Sequence, residues 1–245
     1  MMEPDTLAQL RVMNLPVHYG ADYATWLLAR LRRGQGSHVV TLNAEMSMQA
    51  DHNLGLKRLI QQAELVIPDG AGVVLYFRLK GQRLHRYPGI ELAADLLKHC
   101  LPQESVFFYG GAPGVAETAR DRWQTQLPNL TITGVQNGYL SAEDQPAFQQ
   151  QLRDQQPSLI FVGLGVPRQE FWIAEHRSLC PHSIWVGVGG SFDIWAGVKQ
   201  RAPAWFCNNN LEWLYRLYQE PWRWRRMLAL PKFAWRALTY PQKPE

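Results

Sequence analysis

One aspartate has a setting suited to chemistry. In Val66-Ile67-Pro68-Asp69-Gly70-Ala71-Gly72-Val73-Val74 an apolar run stops at Pro68, and Asp69 precedes two glycines and a second apolar run. Proline fixes φ, aspartate accepts turn geometry, and glycine lets another group approach the backbone closely. The stretch reads as a strand end, a tight turn and a helix start. Two roles for Asp69 are open. It can be an ordinary turn residue, or a carboxylate with little bulk around it, able to act as a general base where open α/β sheets bind ligands.

Glycine-rich loops follow other apolar runs at Gly110-Gly111, Gly163 to Gly165 and Gly187 to Gly190. Bare backbone at several strand ends, each followed by a helix start, makes a seat for a diphosphate. None completes G-x-G-x-x-G, because Arg168 and Phe192 stand where the third glycine is needed, and there is no P-loop motif. A nicotinamide or flavin oxidoreductase is therefore disfavoured, and no cofactor is expected. The histidines are dispersed and no two aspartates are separated by one residue, so no metal site is expected either. A diphosphate would then need positive side chains to balance it. Arg216, Arg223, Arg225 and Arg226 are the supply, interleaved with Tyr215, Tyr218, Trp222 and Trp224. Charge alone fits a solvated helical face; the aromatics turn the reading toward a bilayer interface. Three further residues each carry two readings. Asp193 can cap a helix or accept hydrogen bonds from a uracil or ribose. Tyr139 can pack its loop or stack on a base, and Gln169 can be a surface amide or bond a sugar hydroxyl.

The elements that must hold these residues alternate along the chain. Strands are expected at Leu10 to Met13, His38 to Leu42, around Leu65, at Val106 to Tyr109, Thr131 to Val135, Leu159 to Val162 and Ile184 to Val188. Amphipathic helices separate them, including Asn53 to Gln62, Gly72 to Leu79, Ile90 to Cys100 and Arg168 to Ser178. Such βαβ alternation predicts an α/β fold, a mostly parallel sheet with helices on both faces. Beyond Arg201 the strand pattern ends, which divides the chain into a core of residues 1–200 and a basic, aromatic-rich helical appendage of residues 201–245. In that appendage Arg and Lys outnumber Asp and Glu by eight to three, and five of the ten tryptophans lie there. Cys100, Cys180 and Cys207 are odd in number and far apart, as expected for reduced cytoplasmic thiols. No signal peptide is expected, and no window is apolar enough to span a membrane, so membrane contact is expected to be peripheral.

Taken in order, Thr41-Leu42-Asn43-Ala44-Glu45, Ala63 through Val74, Arg86-Tyr87-Pro88-Gly89, Gly163 through Glu170, Gly187 through Asp193, Arg201-Ala202-Pro203 and Glu212 through Leu217 resemble the WecG/TagA/CpsF family of bacterial glycosyltransferases. The resemblance runs from about Val39 to Phe233. It implies a Rossmann-like core and inverting, metal-independent transfer of an N-acetylmannosamine-type sugar from a UDP-sugar to a polyprenyl-diphosphate-linked acceptor sugar. The setting implied is polysaccharide or teichoic acid synthesis at the inner face of the plasma membrane, with no nucleic acid partner and homo-oligomerisation left open. By the same resemblance the base falls on Asp69, supported by Thr41, Arg86 and Gln169. The substrate site draws on Asn43, Gly70, Gly111, Tyr139, Gly165, Gly189, Gly190, Asp193, Arg216, Arg223 and Arg226. The competing reading is a membrane-surface or nucleotide-binding α/β protein without transferase activity. Two departures from the family pattern stand out. Arg168 replaces the usual lysine of Pro-Lys-Gln-Glu, and the lysine expected before Arg-Ala-Pro is Gln200, with Lys199 one place earlier.

Overall fold

A computed structural model describes residues 7–20 and 22–241, apart from the side chains of Arg223 and Arg226. Eight strands are present: β1 (Ala8–Val12), β2 (Leu15–Tyr19), β3 (Ser37–Leu42), β4 (Leu65–Pro68), β5 (Val106–Gly110), β6 (Ile132–Gln136), β7 (Leu159–Gly163) and β8 (Ile184–Gly187). The last six form one sheet in the order β4-β3-β8-β7-β5-β6, every pair parallel. Strands β3, β4 and β8 are buried at every position, as a parallel sheet covered on both faces requires. The expected Rossmann-like α/β fold is thus the observed one.

Side chains of β3 and β4 alternate between two cores. Val39, Leu65 and Ile67 pack with the helices Tyr23–Arg32, Gly89–His99 and Val115–Gln126 on one face. Val40, Leu42 and Val66 pack on the other face with Ala44–His52, Leu54–Gln62 and Ala71–Leu79. After β3 the chain turns to this second face. After β8, the short helix Ser191–Trp195 packs on the first, through Phe192. Adjacent strands whose continuations diverge leave a crevice at their carboxyl ends, where ligands of such sheets bind.

Two elements differ from expectation. The single N-terminal strand is a hairpin, β1 paired antiparallel to β2, turned at Met13 and Asn14 with φ of 52° and 62°. Positive φ at both positions gives the twist a two-residue hairpin needs, but Met-Asn is not one of the usual turn pairs. Strand β4 receives this hairpin, since the Val66 N–H donates to His18 Nδ1 at 2.9 Å. The second surprise is the helix Ala44–His52, directly after β3. Asn43 Oδ1 caps it by accepting from Met46 N at 2.9 Å, and Asn53 caps the next helix through Leu56 N at 3.0 Å. Its mixed sequence, AEMSMQADH, has weak amphipathic spacing, so the caps are its clearest local signal.

The C-terminal segment is helical, as expected, at Ala204–Asn208, Glu212–Gln219, Trp224–Met227 and Ala229–Thr239. Its parts are held differently. Phe233 and Ala237 of the last helix are buried in the same core as Leu42, Val66 and Phe77. The intervening helices join the body largely through ion pairs: Arg86 with Glu212, Lys199 with Glu220, and Arg201 with Glu91.

Candidate active site

At the carboxyl ends of β3, β4, β7 and β8 a cleft of about 790 Å³ is roofed by the C-terminal segment. The walls are set by backbone. Asp69 N–H and Gly70 N–H both donate to Leu42 O, at 3.0 and 3.3 Å, which pins the turn after β4 to the end of β3. A Cβ on Gly70 would lie 2.7 Å from Asn43 Cβ, so the close approach needs glycine. Thr41, the inward residue at the end of β3, touches Gly89 in the same way: a Cβ there would lie 2.8 Å from Thr41 Cγ2. Arg86 arrives on the loop before the helix Gly89–His99.

Asp69 lines this cleft and is half-buried. Burial lifts its carboxyl to about 6; Arg216 and Arg86 oppose the rise, Glu212 adds to it, and a hydrogen bond from the Gly89 N–H opposes it. A carboxylate of that strength titrates near neutrality, as a general base should. Around it stand charges from distant parts of the chain. Glu212 is buried; its Oε2 accepts from Arg86 Nη2 at 2.9 Å and its Oε1 from Arg216 Nη2 at 2.8 Å. Lys199, also on the cleft, pairs with Asp193 at 3.1 Å and Glu220 at 3.2 Å.

Gln169 is almost wholly enclosed. Its Oε1 accepts from Gly165 N at 3.2 Å and Gly189 N at 3.0 Å, and its Nε2 donates to Glu170 Oε1 at 3.0 Å. Glu170 in turn meets His38 Nε2 at 3.1 Å through its other oxygen. One amide therefore ties the β7 and β8 loops together and is itself oriented from below. It is not the free surface amide weighed from sequence: its carbonyl braces the two loops while the residue lines the cleft.

Of the residues singled out from sequence, the cleft gathers Asp69, Thr41, Arg86, Gln169, Asn43, Gly70, Gly165, Gly189, Gly190 and Arg216. Three stand off its lining. Asp193 sits in the first turn of Ser191–Trp195, makes no cap bond, and reaches the cleft only through Lys199. Gly111 hydrogen-bonds Gly163 O and accepts from Gly138 N, and Tyr139 projects into solvent at 77% exposure. Gly138 and Leu140 line a second, smaller cavity of about 340 Å³ with Tyr109, Leu164, Arg168 and Trp172. The side chains of Arg223 and Arg226 lie outside the described residues. Sequence reading missed Glu212 as a site residue, naming it only as the start of the stretch Glu212 through Leu217. An acid at the first position of an aromatic helix, one turn before Arg216, was the available signal. No group of three or more His, Cys, Asp or Glu placed to hold a metal ion occurs among the described residues.

A model of the glycosyl transferase WecG/TagA/CpsF family matches residues 10–245, the C-terminal segment included. The chain belongs to this family. It is a glycosyltransferase of the hexosyl-transferring kind. Similar proteins bear the name N-acetylglucosaminyldiphosphoundecaprenol N-acetyl-beta-D-mannosaminyltransferase. One from Bacillus spizizenii is 38% identical over 205 residues, covering 83% of this chain and 79% of the relative. One from Bacillus subtilis is 35% identical over 219 residues, covering 86% and 85%. A third, from Staphylococcus aureus, is 36% identical over 200 residues, covering 81% and 78%. The matched stretch includes the last helix, whose Phe233 packs in one core with Leu42 and Val66 of the sheet. No helix among the described residues is long and apolar enough to cross a membrane.

Proposed function

We propose that this glycosyltransferase moves an N-acetylmannosamine-type sugar from UDP to a sugar carried on a polyprenyl diphosphate, with inversion at the anomeric carbon. The observation that carries the chemistry is Asp69, a carboxylate raised to about 6 at the mouth of a cleft that also holds Arg86 and Arg216. The sugar and acceptor are taken from the names of the relatives. In the transfer, Asp69 removes the proton from an acceptor hydroxyl as that oxygen forms its bond to the anomeric carbon. The bond from that carbon to the UDP oxygen breaks, and UDP leaves with the electron pair. A positioned base contributes roughly 10²–10⁴-fold in rate. Negative charge gathers on the departing diphosphate, where guanidinium groups stabilise it best because they are already in place. Asn43, Gly70, Gly165, Gly189 and Gly190 line the part of the cleft proposed for the donor, and Gln169 holds the last two loops in register. Asp193, Gly111, Tyr139, Arg223 and Arg226 remain proposed donor contacts.

The acceptor's lipid places the reaction at a membrane surface. Trp205, Tyr218, Trp222, Trp224 and Trp235 are all more than half exposed, on the segment that also carries Arg216 and Arg225. Aromatic rings beside cations suit the headgroup layer, which supports peripheral attachment through the C-terminal segment on the cytoplasmic face.

The deciding experiment is Asp69→Asn. Transfer to a short-chain polyprenyl-diphosphate-GlcNAc acceptor is expected to vanish while UDP binding, measured by calorimetry, survives. Wild-type turnover by the variant removes Asp69 from the role. A screen of UDP-sugars against that acceptor, read by product mass, fixes the sugar.

A further inference from the structure

Glu212 is a carboxylate 5% exposed, a placement that is costly unless both oxygens are matched by charge. Here each oxygen takes one guanidinium. Arg86 comes from the core loop and Arg216 from the helix Glu212–Gln219, at 2.9 and 2.8 Å, the distances of strong charge-assisted bonds. Both arginines line the same cleft as Asp69, yet both are paired to Glu212 rather than to Asp69.

Building on the reading of Asp69 as the base, we infer that Glu212 is a positioning residue for transfer: it holds Arg86 and Arg216 as one anion-facing pair and keeps both off Asp69. Two consequences follow from the geometry. First, each guanidinium has five N–H donors, and the bonds to Glu212 use the Nη2 of each. The pair can therefore meet a diphosphate without releasing its anchor, so little rearrangement is needed as charge develops. Second, an arginine set directly against a carboxylate lowers its pKa by roughly 1–3 units. A base so paired would accept a proton poorly near neutral pH. Glu212 offsets that pull: it draws one edge of each guanidinium to its own oxygens, and its negative charge favours the protonated form of Asp69.

The charged groups that act on Asp69 come from two elements, Arg86 on the core loop and Glu212 and Arg216 on the helix Glu212–Gln219, and the Gly89 N–H donates from a third. Glu45, Lys199 and Glu220 line the cleft further out. Glu212→Gln keeps the shape and removes the charge. It is expected to lower kcat by about tenfold or more and to move the acidic limb of the kcat/KM profile down by roughly half a pH unit or more. A purely structural glutamate would leave that limb in place. Unchanged kcat and an unmoved limb in a folded Glu212→Gln protein overturn the inference. If Asp69→Asn is still inactive in that case, the reading of Asp69 stands; if Asp69→Asn is active, the reading falls as well. Should Glu212→Gln fail to fold, Glu212→Asp is read instead. Its shorter carboxylate cannot span both guanidiniums, so kcat is expected to fall roughly fivefold or more, and wild-type kcat overturns the inference.

Discussion

The ring of Phe233 in the last helix meets the ring of Tyr76 edge-on, with 6.4 Å between centroids. Phe233 is 1% exposed, and Tyr76 belongs to the helix that starts two residues after Asp69. The C-terminal helix is thus part of the wall behind the Asp69 turn rather than a loose addition to it. Phe233→Ala is expected to cost about 3–5 kcal/mol of stability, measured by denaturant unfolding, with one cooperative transition for the whole chain. A small early transition confined to the C-terminal segment would contradict this.

Activity and stability should respond to pH in opposite senses. The Asp69 carboxyl lies at about 6 against a usual 3.8. As the base it must be ionised, so kcat/KM is expected to rise about tenfold per unit up to pH 6 and then level. For stability the folded state binds the extra proton between these two values. Its contribution is complete below 3.8 and lost as pH rises through 6. Asp69→Asn should therefore melt higher than wild type at pH 7.5, by at most about 3 kcal/mol. Equal melting temperatures across pH 4–8 would show that the carboxyl is not raised.

Gly70→Ala tests the pinning of the Asp69 turn. The added methyl would press on Asn43 Cβ and Cα at 2.7 and 2.9 Å, and backbone there cannot swing aside as a side chain tip does. A loss of about 1–3 kcal/mol is expected, with kcat falling by more than the lost fraction of folded protein explains. Unchanged kinetics would mean that Asn43 and Asp69 tolerate displacement.

Guanidinium groups, not a divalent cation, are proposed to balance the leaving diphosphate. Transfer should continue in excess EDTA and should slow markedly in Arg86→Ala. Magnesium-restored activity after chelation would reverse this assignment.

For the membrane face, replacing Trp205, Trp224 and Trp235 together by serine is expected to release the protein from anionic vesicles in a sedimentation assay. UDP binding by calorimetry should be retained. Retained pelleting would place the contact elsewhere.

Much of this was legible in the residues themselves. The parallel sheet followed from fully apolar strands such as Leu159 to Val162, and Asp69 from its isolation between Pro68 and Gly70. The helix Ala44–His52 was not, because its apolar residues lack a clear face and only Asn43 announces it. Nor was the β1–β2 hairpin, whose Met13-Asn14 turn has no glycine to advertise positive φ. Gln169 was found by type but its work was not. That a side chain spends itself on the N–H groups of Gly165 and Gly189 depends on β7 and β8 lying side by side, which local sequence does not state. Glu212 was hidden for the same reason, since Arg86 is 126 positions away.

The cleft takes its lining from Thr41 at one end of the chain to Leu230 near the other. A nascent polypeptide still short of its last few dozen residues can form most of the sheet but lacks Glu212, Arg216 and the Phe233 plug. The cleft therefore gains its roof, and Asp69 its neighbours Glu212 and Arg216, only as the last part of the chain is made.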